Sequence, residues 1–133
     1  MCRLFVSVFS QQPWNDRWES DTQATDYLLD LVDNRNSLCF GFYVQEQLIG
    51  LSLGYIFNWW EGKELFIKEF CIHRQYQKQG YGKAFMADIE SRLRDMAIKT
   101  VWLSTGKHTP AFRFYQRCGF TTQDDFAFLA KNI

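Results

Sequence analysis

The sequence feature that most constrains the fold is a strand, a glycine-containing loop and an amphipathic helix in direct succession. Residues 64–72 (ELFIKEFCI) are dense in apolar and aromatic residues, which predicts a strand. After the loop, apolar residues recur at spacings of three and four, which predicts a helix with one apolar face. These residues are Phe85, Met86, Ile89, Leu93 and Met96.

The predicted strand carries an irregularity. Its core positions change parity, from Leu65 and Ile67 to Phe70 and Ile72. Because side chains alternate between the two faces of a strand, one extra residue is needed to keep both pairs on the core side. We therefore expect a bulge near Glu69 and Phe70. Bulges often occur beside active sites. Burial of the strand on both faces is the alternative.

The loop after this strand has the composition of an anion-binding turn. Glycines let the backbone approach an anion, and the free N–H groups of a helix's first turn attract it. A diphosphate would suit this loop, although glycines that merely permit a turn are the alternative. A dinucleotide fingerprint would need a third glycine where Phe85 stands, and no ATP-type phosphate loop occurs. The candidate residues are Gln77, Lys78, Gln79, Gly80, Tyr81, Gly82 and Lys83.

The remaining elements are predicted from periodicity and from capping residues. Apolar residues at helical spacing predict a helix over residues 20–34, capped by Ser20 or Asp21. Thr109 and Pro110 predict the start of a short helix that Gly119 ends. The predicted strands are residues 1–9, 38–44, 48–57 and 100–104, with two short strands in residues 120–133 around Gln123, Asp124 and Asp125.

Composition narrows the class of protein. The chain has 133 residues, 47% of them apolar, with 15 basic and 15 acidic side chains, which predicts one globular domain. Zero net charge argues against a nucleic-acid or anionic-membrane footprint spread over the whole surface and leaves only local charged patches, so we expect neither nucleic acid nor membrane as a partner. Four scattered cysteines, without a paired C-x-x-C, argue against a zinc site. They suit a reducing compartment, so we expect a cytoplasmic protein.

Two motifs together resemble the GNAT superfamily of acyl-CoA-dependent N-acyltransferases. Gln77-x-x-Gly80-x-Gly82 resembles the family's pyrophosphate-binding loop, and Ala111-x-x-Phe114-Tyr115-x-x-x-Gly119-Phe120 resembles the signature that follows it. The resemblance covers residue 38 to the end, and residues 1–34 more loosely. It implies an α/β (α+β) N-acetyltransferase domain over residues 1–133, with a mostly antiparallel, splayed mixed sheet flanked by helices.

The same resemblance implies roles for several residues. The pantetheine arm of acetyl-CoA would pair with the bulged strand at Phe70, Cys71 and Ile72. Tyr115 matches the family's tyrosine that protonates the coenzyme thiolate. Amide formation also needs a neutral amine, and Glu69 beside the bulge is the best-placed carboxylate for a general base. His73 is a weaker candidate that suits a turn or a coenzyme contact, and no metal is implied.

The acceptor is the least visible part of the reaction. Residues 16–33 hold six acidic side chains against Arg17 alone, which favours a small cationic amine as much as a solvated helix face. A non-catalytic acyl-CoA-binding module and a protein or peptide lysine acetyltransferase are the alternatives, and the protein would be a monomer or a homodimer. Four tryptophans could line the same cleft, build the core or form a dimer contact: Trp14, Trp18, Trp59 and Trp60.

Overall fold

The structure, a computed structural model, describes residues 1–133 and is built on one four-stranded sheet. Strands β1, β2 and β3 are antiparallel neighbours, and β4 lies parallel to β3 at the opposite edge from β1. The strands are β1 (Ser37–Val44), β2 (Gln47–Trp59), β3 (Gly62–Ile72) and β4 (Ile98–Leu103). The helices are α1 (Cys2–Phe9), α2 (Asp21–Val32), α3 (Tyr81–Asp95) and α4 (Pro110–Arg117).

Two apolar clusters cover the two faces of the sheet. Helices α1 and α2 pack on one face, where Phe5 and Leu28 meet Leu51 and Leu53 of β2. Helix α3 packs on the other face, and the half-buried aromatic residues of α4 join it there. The α/β class and the mixed, mostly antiparallel sheet predicted from the sequence are confirmed.

The first nine residues are a helix, so the predicted first strand is wrong. The buried residues of α1 are Leu4, Phe5, Val8 and Phe9, a spacing that lines one face of a helix. Arg3 and Ser7, four residues apart, are both exposed on the opposite side. A short apolar run fits strand or helix, and only the position of these two polar residues distinguishes them.

The end of the chain also differs from the expectation. No strand follows α4, and the apolar residues Phe126, Phe128 and Leu129 are exposed. A turn forms where Phe126 N–H donates to the Gln123 carbonyl, as predicted, but the segments on either side of it pair with nothing. Strand propensity depends on cross-strand neighbours, and these residues have none.

The docking of α1 leads to a stability prediction. Phe5 is 1% exposed, so Phe5→Ala should lower the free energy of unfolding by about 3–5 kcal/mol, as for other buried aromatic truncations. Arg3→Ala, on the exposed side of the same helix, should change it by less than about 0.5 kcal/mol. Urea denaturation measures both values. Equal effects of the two substitutions would contradict the helical placement.

Candidate active site

The bulge in β3 is the central feature of the site. Leu53 of β2 pairs with Glu69, and the next residue, Gly54, pairs with Ile67, so Lys68 is the extra residue. A Cβ at Gly54 would lie 2.0 Å from the Phe66 carbonyl oxygen, so the close approach of the strands here requires glycine. The sequence placed this irregularity one residue later along the chain.

The bulge decides which face each later side chain of β3 reaches. Before it, Ile67 faces the α3 side; after it, Ile72 does so too, and Phe70 packs against the same cluster. Glu69 and Cys71 are therefore turned to the side of α1 and α2, where Cys71 joins the apolar cluster. Without the extra residue, Glu69 would share the face of Ile67.

Beyond the bulge, β3 loses its neighbour on one side. The β3–β4 pairing ends where Ile67 meets Leu103, the last residue of β4, while β3 continues to Ile72. We call residues 68–72, on the side of β3 away from β2, the open edge. No backbone group of residues 104–133 hydrogen-bonds to it. Alternate residues of an edge strand point their N–H and C=O groups outward, so the open edge offers donors and acceptors to an extended ligand.

Glu69 is held on the α2 side of the open edge. Its carboxylate Oε1 accepts a hydrogen bond from the hydroxyl of Tyr27 on α2. Burial raises the pKa of Glu69; the Tyr27 hydrogen bond and Lys68 lower it, and Asp16 raises it further. The net direction is upward, which makes this carboxylate a better proton acceptor than an exposed one.

Tyr115 approaches the open edge from the other face. Its ring contacts Phe70, with centroids 6.3 Å apart, and Phe114 and Phe120 pack around it. Burial raises its pKa well above the usual range, and the nearby Glu69 adds to the rise. The hydroxyl donates to no protein group, so it is a protonated donor free to face a ligand.

The neighbouring Cys71 and His73 have simpler roles. Burial raises the pKa of Cys71 to about 12, so its thiol stays protonated and is a poor nucleophile. The Nδ1 atom of His73 accepts a hydrogen bond of 3.3 Å from Gln75 N–H and caps a short 3-10 turn, as expected for a turn residue.

The glycine loop connects the end of β3 to α3. Gln77 Nε2 donates to the Ile72 carbonyl at 2.8 Å and ties the loop to the strand. Gly80, in the left-handed region at φ +89°, is the N-cap of α3. The first helical bond runs from Ala84 N–H to the Gly80 carbonyl at 3.0 Å, so the amides before it are free. Exposed Lys78 and Lys83 add positive charge.

The two glycines of this loop differ in their surroundings. A Cβ at Gly80 would meet nothing within 4 Å, so this backbone faces open space. A Cβ at Gly82 would lie 3.1 Å from the Phe114 ring, so Gly82 permits the contact between α3 and α4. The sequence assigned both glycines to the approach of an anion, and the Phe114 ring gives Gly82 a packing role as well.

The order of these parts, bulged strand, open edge, glycine loop and aromatic helix, agrees with a known family. Residues 3–120 match the sequence model of the acetyltransferase (GNAT) family. The chain belongs to the GNAT acetyltransferase family. The resemblance drawn from the loop and the α4 signature is thereby confirmed, and acetyl transfer is the class of activity that the assignment supports. No curated protein sequence matches the chain closely.

Solved structures of acetyltransferases share the fold. A possible acetyltransferase from Clostridium difficile 630 has a TM-score of 0.80 at 14% identity, over 99% of this chain and 89% of that one. An aminoglycoside acetyltransferase from an uncultured soil metagenomic sample, in complex with sisomicin, has a TM-score of 0.75 at 17% identity, over 98% of this chain and 84% of that one. A ribosomal-protein-alanine N-acetyltransferase from Brucella melitensis biovar Abortus 2308 has a TM-score of 0.73 at 15% identity, over 98% of this chain and 89% of that one.

Fewer acidic and aromatic residues lie at the candidate site than the sequence implied. The six acids of residues 16–33 are exposed, and only Asp16 lies near enough to Glu69 to affect its pKa. Trp18 packs on Phe5 beside Tyr27, whereas Trp59 and Trp60 are exposed at the β2–β3 hairpin, the opposite end of β3. The four tryptophans therefore do not line one cleft.

Sequence reasoning missed Tyr27 as a residue of the candidate site in this GNAT chain. Its position among the apolar residues of α2 predicted a core side chain, and its ring does pack against the α1 and α2 cluster. The contact with Glu69 joins residues 42 positions apart, so no local pattern could reveal it. No helix has the length and apolar character needed to span a membrane, and no group of three His, Cys, Asp or Glu residues is placed to hold a metal.

Proposed function

We propose that the chain transfers an acetyl group from acetyl-CoA to the primary amine of a small molecule by direct attack. One observation carries this proposal: Glu69 and Tyr115 flank the same open edge from opposite faces of the sheet. A base and an acid placed on either side of one extended binding surface are what amide formation from a thioester needs.

The residues present fit acetyl-CoA. The free amides before Ala84, together with Lys78 and Lys83, would hold its diphosphate, and the space above Gly80 lets the backbone approach it. The extended pantetheine arm would pair along Phe70, Cys71 and Ile72 of the open edge. When bound, acetyl-CoA supplies an activated thioester carbonyl.

The proton transfers follow from the two side chains. Glu69 takes a proton from the attacking amine, the C–N bond forms and the C–S bond breaks. Tyr115 gives its proton to the departing thiolate. Burial keeps its phenol protonated, so the proton is present when the thiolate departs. Outward N–H groups of the open edge would stabilise the charge on the carbonyl oxygen.

The acceptor is best matched by a cationic amine. Asp16 and Glu69 are two carboxylates at the α2 side of the open edge, next to the rings of Trp18 and Tyr27. Acidic groups attract a protonated amine, and aromatic faces add to that attraction. The similar structures of an aminoglycoside acetyltransferase and a ribosomal-protein-alanine N-acetyltransferase indicate which acceptor classes to compare.

Titration calorimetry with acetyl-CoA and CoA, followed by thiol release in the same preparation, tests the proposal. The acceptor panel contains aminoglycosides, polyamines, amino acids, a lysine peptide and a peptide with N-terminal alanine. We expect binding of acetyl-CoA and thiol release with one small cationic class. Thiol release with a peptide would support a protein acetyltransferase. Binding of acetyl-CoA without thiol release would support a non-catalytic module. Absence of acetyl-CoA binding would contradict the assignment of the loop.

Tyr115→Phe separates an enzyme from a binding module. The substitution removes the acid but keeps the ring against Phe70, so kcat should fall about 100-fold. Affinity for acetyl-CoA should stay within about twofold, since the lost group acts only on the leaving thiolate. Tyr43→Phe, at an exposed tyrosine of edge strand β1, is the control and should leave kcat unchanged. Unchanged kcat in the Tyr115 variant would remove this acid from the mechanism.

A further inference from the structure

Tyr27 is fixed in place more firmly than a surface tyrosine. Its ring lies 5.3 Å from the Trp18 ring and 5.8 Å from the Phe5 ring, centroid to centroid. Two aromatic neighbours on different segments set the direction of its C–O bond. From this position its hydroxyl reaches across from α2 and donates to Oε1 of Glu69.

The two oxygens of Glu69 are not equivalent. Oε1 accepts the Tyr27 hydrogen bond, whereas Oε2 accepts none from the protein. Oε2 also reaches solvent, because the buried side-chain polar atoms without a partner are Trp18 Nε1 and Thr105 Oγ1 only. The carboxylate therefore presents one anchored oxygen and one available oxygen.

We propose that Tyr27 is the positioning residue for Glu69, anchoring Oε1 so that Oε2 faces the acceptor amine at the open edge. This inference rests on the proposed function, because it takes Glu69 as the group that receives the amine's proton. In that step the N–H bond of the amine breaks, an O–H bond forms on Oε2, and Oε1 keeps its hydrogen bond to Tyr27. Tyr27 itself gains and loses no proton.

The surroundings of Glu69 explain why such an anchor is needed. Half-burial disfavours its ionised form, and Asp16 in the α1–α2 loop does the same. Lys68 on β3 favours the ionised form, while Tyr115 and Cys71 are neutral because burial raises the pKa of both. The phenol of Tyr27 is the neutral donor that favours the carboxylate.

Tyr27 remains a donor wherever the enzyme would work. Burial raises its pKa far above the ordinary tyrosine value, and the contact with Glu69 raises it further. The hydroxyl is thus protonated throughout the pH range in which Glu69 titrates. A donor that does not itself titrate gives Glu69 a constant partner, so changes in rate with acid would report Glu69 and its neighbour Asp16, and not Tyr27.

Tyr55 supplies a matched control, because its hydroxyl also bonds to α2. It lies on β2, packs against the same apolar cluster, and its hydroxyl donates to the Asp30 carbonyl of α2 at 2.7 Å. Tyr55→Phe and Tyr27→Phe thus each keep a ring and each remove one hydrogen bond between α2 and the sheet. Only Tyr27→Phe removes a hydrogen bond to Glu69.

The test measures Glu69 directly. The side-chain carboxyl of Glu69 is followed by ¹³C NMR during a pH titration of the wild-type, Tyr27→Phe and Tyr55→Phe proteins, with Glu69→Gln to assign the signal. Loss of a donor to the charged form should raise the titration midpoint by about one to two pH units in Tyr27→Phe. Tyr55→Phe should leave it in place.

The same variants are compared in acetyl transfer with the acceptor that the panel identifies. In Tyr27→Phe the acidic limb of the kcat/KM profile should move to higher pH by the same amount, with affinity for acetyl-CoA unchanged. If the role of Tyr27 were merely structural, Tyr27→Phe and Tyr55→Phe would lower stability equally, and neither would move the acidic limb of the kcat/KM profile.

The outcomes distinguish failure of the inference about Tyr27 from failure of the proposed function. An unmoved Glu69 midpoint in Tyr27→Phe overturns the coupling, whether or not the protein is active. A moved midpoint with an unmoved acidic limb overturns the role in catalysis. Failure of the wild-type protein to acetylate any amine on the panel counts against the proposed function, and is seen before any variant is made.

Discussion

Gly80→Asp is expected to weaken the binding of acetyl-CoA by at least about 100-fold, equivalent to about 2.7 kcal/mol. The backbone at Gly80 faces open space at the start of α3, where the diphosphate would lie against the free amides. A carboxylate placed there fills the space and repels the phosphates, and juxtaposed like charges cost several kcal/mol.

Gly80→Asn is the matched control for this substitution. Asn has the same shape as Asp without the charge, and both residues tolerate the left-handed conformation required by φ +89° at about the same cost. The Asn variant should lose about tenfold or less. A negative charge at a helix N-terminus stabilises the helix, so Asp should not unfold α3. Calorimetry measures affinity and thermal unfolding confirms the fold.

Equal affinities for the Asp and Asn variants would contradict the placement of an anion at this loop. Gly82 is unsuitable for the comparison because its substituent would press on Phe114. Loss of binding in a Gly82 variant would then report damage to the contact between α3 and α4, and would carry no information on the anion.

Glu69→Gln is expected to lower kcat/KM for the amine by about 100- to 1,000-fold. The amide keeps an oxygen that can accept the Tyr27 hydrogen bond, so the side chain stays in place while its basicity is lost. Glu64→Gln, on the same strand before the bulge, is the control and should be nearly neutral. Thiol release at saturating acetyl-CoA measures both.

The pH profile strengthens this prediction. Glu69 must be ionised to accept a proton, so activity should fall as pH drops through its pKa, which burial raises above the ordinary carboxyl range. The acidic limb of the wild-type profile should therefore lie nearer neutrality than for a solvent-exposed carboxylate. In Glu69→Gln that limb should disappear. A limb that persists unchanged would assign the base to another group.

The parts of the fold with a strong local period were predictable from the sequence. The parity change from Ile67 to Phe70 requires an extra residue whatever the tertiary structure, and the structure has it at Lys68. The left-handed end of α4 at Gly119 was equally local, because only glycine adopts φ +90° without strain.

The predictions that were wrong or missing concern segments whose structure depends on tertiary neighbours. Residues 2–9 and 120–133 are short apolar runs whose structure is decided by what they pack against. Glu69 was recognised beside the bulge, but its anchor Tyr27 comes from another element and reaches it only in the folded chain. A candidate base could be found from sequence, whereas the geometry that controls it could not.

The open edge has a consequence for self-association. An unpaired strand edge is a template for joining another chain, and long flat edges lead to aggregation. Here the exposed stretch is only residues 68–72, it begins at a bulge, and the bulged residue is an exposed lysine. Short length, local twist and a charged side chain are the features by which natural sheets avoid edge-to-edge contacts. These features disfavour pairing between copies of the chain at the open edge, while its backbone groups stay available to a ligand.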